Sequence, residues 1–119
     1  MNLVELAFFT DNVPEMTAFY RRLLGKEPVA QSDGMAIFMS GQTKIFIHRN
    51  YTAAEGELPP NNHIAFAVDD VDAACQELVA QGLELEISPQ DYYWGRSAYL
   101  RDPDGQQVEI TQADSGNAH

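Results

Sequence analysis

Residues 5–13, ELAFFTDNV, return at 63–71 as HIAFAVDDV. At this offset of 58, four of nine positions are identical: Ala7 with Ala65, Phe8 with Phe66, Asp11 with Asp69 and Val13 with Val71. Each copy runs from an apolar, strand-like stretch through an acidic turn into an amphipathic segment. Such self-similarity is the signature of one supersecondary unit used twice. The residue that opens each copy is ionisable, Glu5 in the first and His63 in the second. A duplicated fold that sets a carboxylate and an imidazole in equivalent places can build one site from two halves.

The elements follow from local patterns. LVELAFF at 3–9 reads as a strand, and Asp11 or Asn12 caps a helix with Pro14 in its first turn and Glu15 near its positive end. Val13, Met16, Phe19, Tyr20, Leu23 and Leu24 recur at helical spacing, and Gly25 supplies the stop. Shorter β-like runs lie near 27–31, 34–40 and 43–49, with Gly34 and Gly41-Gln42 as turn signals. Residues 50–62, NYTAAEGELPPNN, show no period and carry Gly56 and Pro59-Pro60, so they read as a linker. The second copy repeats the order. A strand at 63–68 and a cap at Asp69 or Asp70 lead into a helix through Val71, Ala74, Cys75, Leu78 and Val79, which stops at Gly82. Strands are expected near 83–87, 96–101 and 106–111. The reading is one domain over 1–119: module one at 1–49, the linker, module two at 63–112 and a frayed polar tail at 113–119. Both modules are βαβββ.

Length and charge exclude several classes. A chain of 119 residues is long enough for a real core. No apolar stretch approaches the roughly 18 residues of a membrane span, and one cysteine, Cys75, excludes an internal disulfide. A cytoplasmic protein is the simplest expectation. The net charge is −11, with seven Lys and Arg and no basic stripe, which argues against nucleic acid as a partner. An acidic surface can also attract cationic small molecules.

The βαβββ duplication carries further markers. FYRRLLG closes the first helix, and Asp102-Pro103-Asp104-Gly105 precedes Val108-Glu109-Ile110 in the second half. Together these resemble the vicinal oxygen chelate superfamily, which includes glyoxalase I, bleomycin-resistance proteins, fosfomycin-resistance enzymes and extradiol dioxygenases. The resemblance covers about residues 3–112, and WGRSAYLRDPDGQQVEI is most similar to the glyoxalase and bleomycin-resistance branches. It implies an α+β fold in which two βαβββ modules form an incomplete β-barrel cup, and it implies a homodimer.

It also implies four metal-ligand positions, one on the first and last strand of each module. Glu5 matches the first, His63 the third and Glu109 the fourth; Glu5 precedes Val13 by eight residues, as His63 precedes Val71. Two carboxylates and an imidazole suit one divalent ion such as Zn, Ni, Mn or Fe. The second position falls in KIFIHR on Ile45 or Ile47, and His48 is the only side chain nearby able to bind a metal. His48 completes the set if it and Phe46 face the cup. Taken singly, Glu5 also reads as a solvated or paired edge carboxylate, and His63 as a hydrogen-bonded structural histidine.

Around the expected cup, Tyr92, Tyr93 and Trp94 offer aromatic faces for a planar or cationic ligand, and Arg96 a fork for a carboxylate. Phe38 and Tyr99 fall on corresponding strands and serve either the ligand or the core. Cys75, on an apolar helix face, reads as a buried inert thiol. Two functions remain open. One is a glyoxalase I-like lyase or epimerase, with Glu5, His63 and Glu109 as ligands and Glu5 or Glu109 as the base beside a carbonyl. The other is a metal-free resistance protein that sequesters a bulky compound.

Overall fold

The computed structural model describes residues 1–112, so the expected frayed tail from Ala113 lies outside the described residues. The first copy comprises β1 (Asn2–Thr10), α1 (Val13–Leu24), β2 (Ala30–Ser32), β3 (Met35–Ser40) and β4 (Thr43–Arg49). The second comprises β5 (His63–Val68), α2 (Val71–Ala80), β6 (Leu85–Tyr92), β7 (Gly95–Arg101) and β8 (Gln107–Gln112). The order βαβββ appears twice, and the fold is α+β with open rather than closed strand runs. Contacts group Glu5–Asn62 as one unit; Met1–Val4 go with the chain from His63 onward. Among the described residues no helix is long and apolar enough to cross a membrane.

In the first unit the strands run β2-β3-β4-β1, with β1 parallel to β4 and the other pairs antiparallel. Alternation sends Phe8, Ile45, Ile47, Ala36 and Phe38 to one face, where Val13, Met16, Tyr20 and Leu24 of α1 cover them. Phe8 stacks on Tyr20 with centroids 5.9 Å apart. Phe19 and Leu23, which share the helical period, remain exposed, and buried Thr17 takes the inward place, its hydroxyl donating to the Val13 carbonyl. Gly25 closes α1 at φ +69°, the left-handed conformation that suits a residue without Cβ.

The second unit repeats the plan as β5-β8-β7-β6, with β5 parallel to β8. Asp70 caps α2 by accepting from the Ala73 amide at 3.1 Å. Val71 and Cys75 pack with Ala98 on one sheet face, flanked by Val68 and Leu85. Here β6 extends to Tyr92, five residues past the expected end, because the register breaks between Leu85 and Gln90 and leaves Pro89 outside the regular ladder. The run expected at 27–31 shrinks to the three-residue β2.

Candidate functional site

In the second unit, β7 and β8 pair Tyr99 with Glu109 and Ser97 with Thr111, while β5 and β8 pair His63 with Gln107 and Ala65 with Glu109. Ala98 faces α2, so the period of two puts Ser97, Tyr99, Glu109, Thr111 and His63 together on the opposite face. All five are buried, Glu109 completely.

A buried carboxylate needs partners, because transferring its charge unpaired from water is expensive. Each oxygen of Glu109 has a close polar neighbour. Oε1 lies 3.2 Å from His63 Nε2, and Oε2 accepts from the Ser97 hydroxyl at 2.8 Å. Ser97 Oγ accepts in turn from the Trp94 indole at 3.2 Å and lies 3.0 Å from Thr111 Oγ1. Aromatic rings wall the group. Tyr99 meets His63 edge-on at 6.3 Å, and Tyr92 stacks on Trp94 at 4.5 Å with planes 2° apart. Burial pushes the Tyr92 phenol up from its ordinary pKa, and the nearby Glu109 charge pushes it further in the same direction.

The first unit has the same skeleton with a different lining. Its register pairs Glu5 with Lys44, Ala7 with Phe46 and Phe9 with His48. Glu109 stands two residues beyond the partner of His63; the residue two beyond the partner of Glu5 is Phe46. The place in the first copy equivalent to Glu109 is therefore Phe46, not Ile45 or Ile47, whose side chains enter the core beneath α1. His48 shares the sheet face of Glu5 but lies four residues along, about 13 Å at strand rise. Its ring packs near Phe9, Phe46 and Tyr51, with Nδ1 2.7 Å from the Arg49 carbonyl.

Among the described residues, Glu5 of the first unit and His63 and Glu109 of the second are buried side chains able to ligate a metal ion. The donor chemistry fits a first-row divalent ion. Two atoms each about 2.1 Å from one ion sit roughly 3.0–3.4 Å apart, and the His63–Glu109 separation of 3.2 Å matches that.

The other expected residues are distributed differently. Arg96 turns its fork on Asp72, at 2.8 and 3.0 Å, and donates to Asp91 at 3.0 Å. Phe38 is fully buried in the α1 core, Tyr93 is 88% exposed, and Cys75 is buried with its thiol pushed up by burial and by Asp72. Ser97 and Thr111 are the site-lining residues that sequence reasoning missed. The available signal was parity: Ser97 and Tyr99 alternate with Ala98 as Glu109 and Thr111 alternate with Ile110.

The family model of the Glyoxalase/Bleomycin resistance protein/Dioxygenase superfamily matches residues 2–110. The chain belongs to this superfamily. Within it, the metallothiol transferase FosB of Shouchella clausii (strain KSM-K16) is 26% identical over 88% of this chain and 75% of its own. The lactoylglutathione lyase of Pseudomonas aeruginosa is 41% identical over 51 residues, 43% of this chain and 28% of that protein. Among solved structures, hypothetical protein BH1468 from Bacillus halodurans C-125 superposes with a TM-score of 0.72 at 17% identity, covering 99% of this chain and 98% of its own. That likeness shows the superfamily fold.

Proposed function

We propose that this superfamily member is a metal-dependent enzyme that handles a small molecule, a lyase or isomerase acting next to a carbonyl, with Glu5, His63 and Glu109 holding one divalent ion. The supporting observation is that all three side chains are buried, with His63 Nε2 3.2 Å from Glu109 Oε1. An ion such as Zn, Ni, Mn or Fe supplies a Lewis acid that polarises a carbonyl and steadies negative charge beside it. Glu5 or Glu109 takes the proton from the adjoining carbon. Tyr99, edge-on to His63, and Tyr93, exposed at the β6–β7 turn, contact the substrate. Arg96 and Phe38 have no part in this reading, since the first is engaged by Asp72 and Asp91 and the second lies in the α1 core. The names of two relatives, a metallothiol transferase and a lactoylglutathione lyase, support metal and lyase chemistry in this family. The protein is proposed to act in the cytoplasm as a homodimer, its lone Cys75 making no disulfide demand.

Phe46 at the place equivalent to Glu109 favours a second reading, a metal-free protein that sequesters a drug or metabolite. Elemental analysis and titration with Zn, Ni, Mn and Fe separate the two. The enzyme reading expects about one ion per chain, lost in His63→Ala. Failure of all four metals to bind overturns it and leaves the sequestering reading.

A further inference from the structure

We infer that Ser97 is a positioning residue: it fixes the carboxylate of Glu109 and links it to the indole of Trp94. The inference comes from counting protons in the buried network. An indole N–H only donates, so Trp94 fills one lone pair of Ser97 Oγ at 3.2 Å. Ser97 then has a single proton for two neighbours, Glu109 Oε2 at 2.8 Å and Thr111 Oγ1 at 3.0 Å. An ionised carboxylate can only accept, and a charged acceptor makes the shorter and stronger bond. The Ser97 proton therefore goes to Glu109, and Thr111 donates its own into the remaining Ser97 lone pair. The network has one direction, from Trp94 and Thr111 through Ser97 to Glu109.

Two consequences follow. With Oε2 held by Ser97, Oε1 is the oxygen turned to His63, so Glu109 enters any metal site through one oxygen. This consequence rests on the function proposed above. The other does not: Trp94 is the single tryptophan of the chain, and its N–H reports the state of Glu109 through Ser97.

Nitrogen-15 spectra of the full chain test both, because they contain one indole N–H resonance. In metal-free protein, Ser97→Ala is expected to move that resonance, and Glu109→Gln to move it in the parent but not in the Ser97→Ala background. If Ser97→Ala does not fold, Ser97→Cys, which keeps the size and weakens the donor, carries the same comparison. With zinc as the probe, saturation should shift the parent resonance, and loss of the Ser97 hydroxyl should weaken zinc binding about 10–100-fold, as removal of a partner behind a metal ligand does. An indole resonance unmoved by Ser97→Ala, or moved equally by Glu109→Gln in both backgrounds, overturns the inference. A parent that binds no metal defeats the function proposed above, yet the metal-free comparison still decides the role of Ser97.

Discussion

Glu109 and Phe46 occupy the same place in the two copies, each two residues beyond the strand partner of the residue that opens its copy. The equivalence extends along the pairing. Ser97, Tyr99, Glu109 and Thr111 line one face of the second copy, and Met35, Ile37, Phe46 and His48 take their places in the first. Duplication has kept the backbone plan while one copy holds the hydroxyls and the buried last-strand carboxylate. Glu5 is the buried carboxylate of the first copy.

In the proposed metal site, Phe46→Glu should add a fourth ligand. Zinc affinity is expected to rise by about tenfold or more, since a divalent ion in a structural site favours four protein ligands. Without metal the same change places a carboxylate where Phe46 is only 7% exposed, so the metal-free protein should lose stability. Calorimetric titration and urea denaturation with and without zinc check the opposite signs. His48→Ala should leave zinc affinity within about twofold, because that ring is four residues along the strand from Glu5.

Asp72 and Arg96 should mark the acid limb of stability. The hydrogen bond from Arg96, followed by its charge, holds the Asp72 carboxyl below its ordinary value of 3.8. A depressed folded-state pKa contributes stability that is complete above the unfolded value and lost as pH falls through the folded one. Asp72→Asn should therefore lower the urea midpoint at neutral pH, and the difference should vanish as pH drops below 3.8. Solvent screening at this exposed pair keeps the effect modest. High salt should shrink it further.

The two element orders were legible because the repeat, Gly25, Asp70 and the apolar periods agree with one another. The strand places of Glu5 and His63 were legible from the repeat, and that of Glu109 from the Asp102-Pro103-Asp104-Gly105 turn before it. Phe38 and Tyr99 were not separable. The copies are offset by 63 residues from Phe46 to Glu109 but by 62 from Ile37 to Tyr99, so counting along the chain misaligns them by one. The pairings match Ile37, not Phe38, with Tyr99. A slip of one residue reverses the face of a strand side chain. Ser97 was hidden differently: parity puts it on the face of Tyr99, but its bonds to Glu109 and Trp94 follow only from the neighbours across the sheet.

Phe38→Ala should behave as a core deletion. Phe38 is fully buried against Tyr20 and the α1 face, where removing a phenyl ring costs about 3–5 kcal/mol. Urea denaturation should show that loss with an unchanged slope. Zinc affinity under native conditions should stay where it was. A large loss of zinc affinity with little loss of stability would instead place Phe38 in the ligand site.

Cys75 should resist thiol reagents until its surroundings open. The side chain is 3% exposed between Val71 and Ala98, and burial, with a further push from Asp72, raises its pKa above 9.0. The thiolate is the reactive species, so both the small ionised fraction and the closed packing slow attack. Modification by a disulfide reagent at pH 8 should therefore be far slower than for a free thiol, and should accelerate as urea opens the second unit. Adding zinc should slow it further if the metal stabilises that unit, because a ligand that binds only the folded form lowers the open population. The chemistry of Cys75 would then read the occupancy of Glu109 and His63 from the opposite face of the same sheet. Labelling at the free-thiol rate in native protein would show that α2 leaves the sheet more readily than its packing allows.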